Sequence, residues 1–258
     1  MRVAIPIFKE LHLLRKEMLD ALGDYAFRAD QLLYKGFGDG IIAGCELTTT
    51  EDSIILNEGV ILFDVQIFLI KTPMSILYHP TNTTNVLKIC FSEQMRDANL
   101  VYYEMDLSLT EKTERQRGEL ELCRFKLQEG ARLRYQYLDF EDRNTEFDTL
   151  NTIYVPYTAK GGSTLSPEII NVFVAEMLES EQLSELDTFF CLQLSGNNGA
   201  VTLDTLAAYI WCRDKRPLEE KSNYHIYQEL LRILREVKYG QKSEDGQGKR
   251  RRRKMWIE

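Results

Sequence analysis

The chain has 258 residues, 44% of them hydrophobic, and a formal net charge of −8 at pH 7. That length supports one large or two modest domains with a real core and excludes wholesale disorder. The charge is uneven: Lys242 to Glu258 holds seven basic and three acidic residues, so the total divides into +4 there and −12 before it. An acidic body of this kind is a poor general nucleic-acid binder.

No run of about 18 apolar residues is present to span a bilayer, and the opening "MRVAIPIFKELHLLRKEMLD" turns charged too soon for a signal peptide. The expectation is synthesis and retention in the cytoplasm. Cys45, Cys90, Cys123, Cys191 and Cys212 are odd in number, widely spaced and set in apolar runs, which predicts reduced, buried thiols rather than disulfides. His12, His79 and His225 stand apart from one another and from any cysteine, so no metal-ligand spacing exists.

In chain order, residues 1–35 form an N-terminal helical segment. From Ile7 to Tyr34 the pattern is amphipathic, with Leu11, Leu14, Met18 and Leu22 at i, i+3, i+7 and i+11. Gly23 is a candidate break. Such a stripe ordinarily covers a core, but a helix ahead of a β-domain has little surface of its own to cover. The stripe is therefore expected to be an oligomer interface.

"KGFGDG" follows, and its spacing raises the question of a phosphate loop. A dinucleotide fingerprint needs G-x-G-x-x-G between a strand and a helix, whereas Gly36, Gly38 and Gly40 are spaced G-x-G-x-G between a helix and strands, with no Walker Lys-Ser/Thr. The three glycines predict a helix-to-sheet junction, where positive φ and close backbone approach are needed.

Residues 36–158 read as an antiparallel β-sandwich or barrel. The predicted strands are "GIIAGCELTTT", "SIILNEGVILFDVQIFLI" with a hairpin turn at Asn57 to Gly59, "NVLKICFSE", "LVYYEMDLSL", "ELELCRFKLQ" and "ARLRYQYLDF". In the arm after that turn, Phe63, Val65, Ile67 and Leu69 alternate as one face. Residues 159–165 are glycine- and serine-rich and predict a linker. Residues 166–240 form a small helical bundle: Ser166 and Pro167 supply an N-cap and first helical position, and the last helix is striped at Ile226, Leu230, Ile233 and Val237 and stopped by Gly240. The fold class is thus α+β.

Residues 241–258 form a basic tail, with Lys249, Arg250, Arg251, Arg252, Arg253 and Lys254 consecutive and Trp256 and Ile257 behind them. Such a run suits an anionic partner, whether nucleic acid, membrane or acidic protein, or serves as an unstructured solubilising tail.

Chemistry-bearing patterns fail one by one. The loop around Gly199 and Val201 would place Leu194 and Thr205 where an EF-hand needs carboxylates. Asp139, Glu141, Asp142, Glu146 and Asp148 could in principle do acid–base work, but their turn-rich setting with Arg143 points to a solvated or salt-bridged loop. "KGGSTLSP" is no nucleophile elbow. No catalytic residue, cofactor, metal or small-molecule substrate is expected.

The phrase carried by Asp39, Gly40, Ile41, Ile42, Gly44 and Cys45, then Ile55, Gly59, Val60 and Ile61, resembles one found in baseplate and tail-tip proteins of tailed phages and related contractile injection systems. The resemblance covers about 35 of the 258 residues and leaves out the helical third and the basic tail. It implies a non-enzymatic, oligomeric β-domain, often a trimer, that links the core of a phage-tail-like particle to peripheral parts. Its partners would be copies of itself and other baseplate or tail subunits. The alternative is a cytosolic nucleic-acid-associated or adaptor protein acting through the basic tail.

Overall fold

The structure is a computed structural model that describes residues 7–8, 10, 13–96, 101–180, 182–196, 199–218 and 220–240. A helix comes first, in three joined pieces: α1 (Lys16–Gly23), a π-helical turn (Asp24–Arg28) and α2 (Ala29–Leu33). Gly23 does not break it. The widened turn follows instead, with the Ala29 amide reaching back to the Asp24 carbonyl. The helix also starts later than its periodicity predicts, since the described residues from Ile7 to Arg15 lie outside it. A helix gains most of its stability from burying a face, and neither α1 nor α2 has a fully buried side chain.

Eleven strands follow, in three sheets that close no barrel among the described residues. Strands β1 (Gly40–Gly44), β4 (Gly59–Phe63), β5 (Gln66–Ile70), β10 (Tyr157–Ala159) and β11 (Gly162–Thr164) form one sheet in the order β11-β10-β1-β4-β5. A second sheet orders β2 (Leu47–Thr49), β3 (Ser53–Leu56) and β6 (Met74–Leu77). The third orders β8 (Val101–Thr110), β7 (Thr84–Arg96) and β9 (Glu119–Lys126). Pairing is antiparallel apart from β1 with β10. Their inner faces share a core of Ile54, Leu56, Ile61, Leu87, Ile89 and Leu120 with others.

Several expectations fail for identifiable reasons. Asn57 to Gly59 is not a hairpin turn: β3 and β4 lie in different sheets, and this corner carries the chain between them. The hairpin is at Asp64 and Val65, both at positive φ (47° and 65°). Two such residues fit a type I′ turn, but Asp-Val lacks the glycine that marks one in sequence. That turn resets the face, so in β5 the buried residues are Phe68 and Ile70, while Val65 and Leu69 are exposed. "ARLRYQYLDF" is not a strand. It runs as a strap, fixed by side chains: the Arg134 guanidinium donates to both Asp142 carboxylate oxygens (2.5 and 2.8 Å) and the Tyr137 hydroxyl to the Leu150 carbonyl (2.6 Å). Residues 159–165, expected as a linker, contain the β10–β11 turn and β11, with Ala159 paired to Gly162.

Four further helices follow among the described residues: α3 (Pro167–Leu178), α4 (Glu185–Ser195), α5 (Leu203–Asp214) and α6 (Asn223–Tyr239). Ser166 caps α3 by accepting from the Glu168 amide, and Pro167 takes its first position. Ile226, Leu230, Ile233 and Val237 are all buried, as the stripe requires, and Gly240 ends the helix at φ 74°. The strap continues to the start of β10; its Phe140 and Ile153 belong to the helical core, and its Leu133, Leu150 and Val155 to the β core. One segment therefore feeds both cores.

The phrase around β1 has a steric explanation. A Cβ on Gly59 would lie 2.3 Å from the Cys45 sulfur and 2.4 Å from the Cys45 nitrogen, and one on Gly44 2.3 Å from the Glu58 carbonyl oxygen. Gly162, by contrast, has open space around it. Overpacking against rigid neighbours costs about 1–3 kcal/mol. Gly59→Ala should therefore lower the urea midpoint clearly, while Gly162→Ala should leave it nearly unchanged.

Candidate functional site

The three junction glycines turn the helix into the first sheet. Gly36 follows α2 at φ 82°, and its carbonyl accepts from the Gly161 amide (2.7 Å). The Gly38 amide donates to the Ala159 and Gly162 carbonyls (both 3.1 Å), and a Cβ there would sit 2.3 Å from the Gly162 carbonyl carbon. At Gly40 a Cβ would lie 2.7 Å from the Pro156 carbonyl oxygen. The loop thus meets backbone on the β10–β11 hairpin, not an open cradle. Thr158 Oγ1 donates to the Gly38 carbonyl (2.7 Å), and Tyr34 packs edge-on against Phe37 (5.4 Å), fixing how the helix leaves the sheet.

Of the four residues expected to form the stripe, Met18 and Leu22 lie on α1, Leu14 just precedes its N-cap Arg15, and Leu11 falls outside the described residues. Leu14 is 60% exposed and Leu22 47%, with Met18 half-buried. Leu32 and Leu33 on α2 are more exposed still, and α2 approaches β5, where Val65 and Leu69 also face out. Scattered exposed leucines are ordinary, but here they are concentrated on one helix and beside the neighbouring strand.

The acidic cluster of the strap is occupied by structural contacts. Glu141 pairs with Arg235 and Glu146 with Lys126, while Asp139 accepts from the Asp142 amide (2.7 Å) and Asp148 from the Gln128 amide (3.0 Å). The Arg134 fork holds the Asp142 carboxyl well below the usual carboxylate range, and Arg235 does the same, more weakly, for Glu141. Cys45, Cys123 and Cys191 are buried free thiols, and burial, with Glu46 adding, pushes Cys45 up to about 12. Cys212, against expectation, is exposed, because its position on α5 faces away from the bundle core. His79 and His225 are exposed and His12 lies outside the described residues, among which no group of three potential metal ligands occurs. No helix among the described residues is long and apolar enough to cross a membrane. The basic run from Lys249 to Lys254 lies outside the described residues.

Sequence periodicity also hid one surface. On α4, Phe190, Cys191 and Leu194 enter the core, leaving Leu186, Phe189 and Leu192 on the opposite side. A helix apolar on two faces gives a blurred periodic signal.

A carboxylate whose pKa is depressed by folding stabilises the fold where it is ionised in both states, above about 4, and that contribution fades as pH falls through the folded-state value. Acid unfolding should therefore steepen below about pH 4, and Asp142→Asn should flatten that slope while lowering stability at neutral pH, as read by denaturant midpoints across pH.

No protein-family model matches the chain, and no curated protein matches it. Among solved structures it is similar to one described as the crystal structure of TssK, at 10% identity and TM-score 0.44, over 92% of this chain and 72% of that one. It is similar to a chain of the type VI secretion system TssK-TssF-TssG baseplate subcomplex at 8% identity and TM-score 0.37, over 91% of this chain and 99% of that one. A chain of the baseplate complex from the type VI secretion system gives 10% and 0.36, over 91% and 100%. With TM-scores under 0.5, these likenesses carry no argument about this chain.

Proposed function

We propose that the chain is a non-enzymatic structural component of a phage-tail-like or contractile injection baseplate, and that it associates with copies of itself through the N-terminal helix. The observation that carries self-association is that no side chain of α1 or α2 is fully buried while Leu14, Leu22, Leu32 and Leu33 stand exposed. Most of the stability of a helix in a protein comes from packing its apolar face, so an exposed face favours a partner. The close backbone contacts at Gly36, Gly38 and Gly40 support a helix presented at a set angle, which is what a symmetric contact needs. The particle class and the trimeric state come from the resemblance of the phrase from Asp39 to Ile61. Other baseplate or tail subunits would be the further partners.

Burying such side chains contributes roughly 1.5–3 kcal/mol each. Replacing Leu14 and Met18 together by Glu should convert the assembly to monomer on size-exclusion chromatography with light scattering, with β-rich circular dichroism retained. A wild-type chain that runs as a monomer at every concentration tested would sink the self-association, as would a double variant that keeps its oligomeric mass.

A further inference from the structure

Between Lys160 and Arg213 the sequence has no lysine or arginine, yet it carries seven acidic residues. Four are matched by cations from elsewhere: Glu168 by Arg143, Glu176 by Lys238, Asp187 by Arg213 and Asp204 by Lys221. Glu181 lies outside the described residues. Glu179 and Glu185 are exposed, at the end of α3 and the start of α4, and no ion pair reaches them among the described residues. Beside them α4 turns Leu186, Phe189 and Leu192 outward, the last two 67% and 60% exposed. Their spacing of three residues sets them on one side of the helix. This face is therefore both apolar and negative.

The chain contains a segment of the complementary chemistry. Residues 249–254 are six consecutive cations, followed by Met255, Trp256 and Ile257. The segment leaves the fold close by. Ser180 Oγ donates to the Val237 carbonyl (3.2 Å) and Lys238 pairs with Glu176 (2.6 Å), so the last turn of α6 lies against the turn that joins α3 to α4. The eight residues 241–248 can extend about 26–29 Å, while α4, with eleven residues, is roughly 16 Å long. The tether is thus longer than the helix it would follow. A tether this short also gives a local concentration on the order of mM, which favours contact within the chain over contact between chains.

We propose that residues 249–257 seat on the outer face of α4 of the same chain, the cations against Glu179 and Glu185 and the Met-Trp-Ile end over Phe189 and Leu192. The tail then caps an apolar face that would otherwise be open, and a stronger basic or apolar competitor would have to displace it.

The chain has two tryptophans, Trp211 and Trp256, so Trp211→Phe leaves Trp256 as the sole indole reporter in the full-length protein. Its emission should lie to the blue of the free peptide of residues 241–258, and acrylamide should quench it several-fold less. Phe189→Ser with Leu192→Ser should bring both readouts to the peptide's values, and so, separately, should Arg251→Glu with Arg252→Glu. Far-ultraviolet circular dichroism checks that the helices persist in each. A Trp256 already as accessible as the peptide's overturns the proposal, and so does shielding that survives either pair of substitutions. Shielding that disappears on dilution while the fold persists would assign the contact to a second copy, which equally defeats seating within the chain.

Discussion

The approach of Gly44 to Gly59 is the constraint on which the β-domain depends. Here the chain leaves the five-stranded sheet for β2 and, a few residues later, returns from β3 into β4. Both passages run through one corner, tied by the Cys45 amide on the Glu58 carbonyl (2.9 Å) and the Asn57 amide on the Glu46 carbonyl (3.0 Å). Cys45 takes φ 62° and is nearly inaccessible, so its side chain fills the space that a Cβ on Gly59 would need. With this corner closed, β4 can pair with β5, and Phe63 and Phe68 can meet Phe91 of β7 at 4.5 and 4.6 Å, joining the third sheet to the first.

The same strand couples the sheets to the helices. Gly40 lets β1 lie against Pro156 and pair with β10, which holds the strap where Val155 faces one core and Ile153 the other. Asn223, at the first turn of α6, donates to both the Val155 and Thr164 carbonyls (2.9 and 3.1 Å), and the Tyr227 hydroxyl donates to the Phe140 carbonyl (2.5 Å). Within the bundle the nearly inaccessible Asp187 accepts from the Tyr209 hydroxyl (2.6 Å) and pairs with Arg213, which also reaches Glu236 on α6. A carboxylate buried this far costs heavily unless it is paired and hydrogen-bonded. Both of these partners of Asp187 come from α5, and Arg213 carries the network on to α6, so it links three helices and holds their registers.

The parts legible in sequence were those governed by local chemistry. Ser166-Pro167 starts a helix, the stripe from Ile226 to Val237 is buried, and Gly38 and Gly40 meet backbone across the junction. What stayed hidden was set by distant partners. Nothing near Asn57 says that β3 and β4 belong to different sheets, and nothing in "ARLRYQYLDF" shows that Arg134 will spend its hydrogen bonds on Asp142. The exposed α4 face was illegible for a different reason, since leucine and phenylalanine occupy both sides of that helix and periodicity alone does not choose between them.

The two uncovered apolar surfaces differ in charge, and that difference bears on what each can accept. From Arg15 to Lys35 there are four basic and four acidic residues, so two copies of this segment can meet without a net repulsive field. Residues 161–212 hold seven acidic residues and no lysine or arginine, and bringing two copies of the α4 face together would set Glu179 and Glu185 against their own counterparts. Like charges brought together at an interface cost several kcal/mol and act against the wrong pairing. Copy-to-copy contact is therefore electrostatically permitted at the N-terminal helix and opposed at α4, where a positively charged segment would meet no such repulsion.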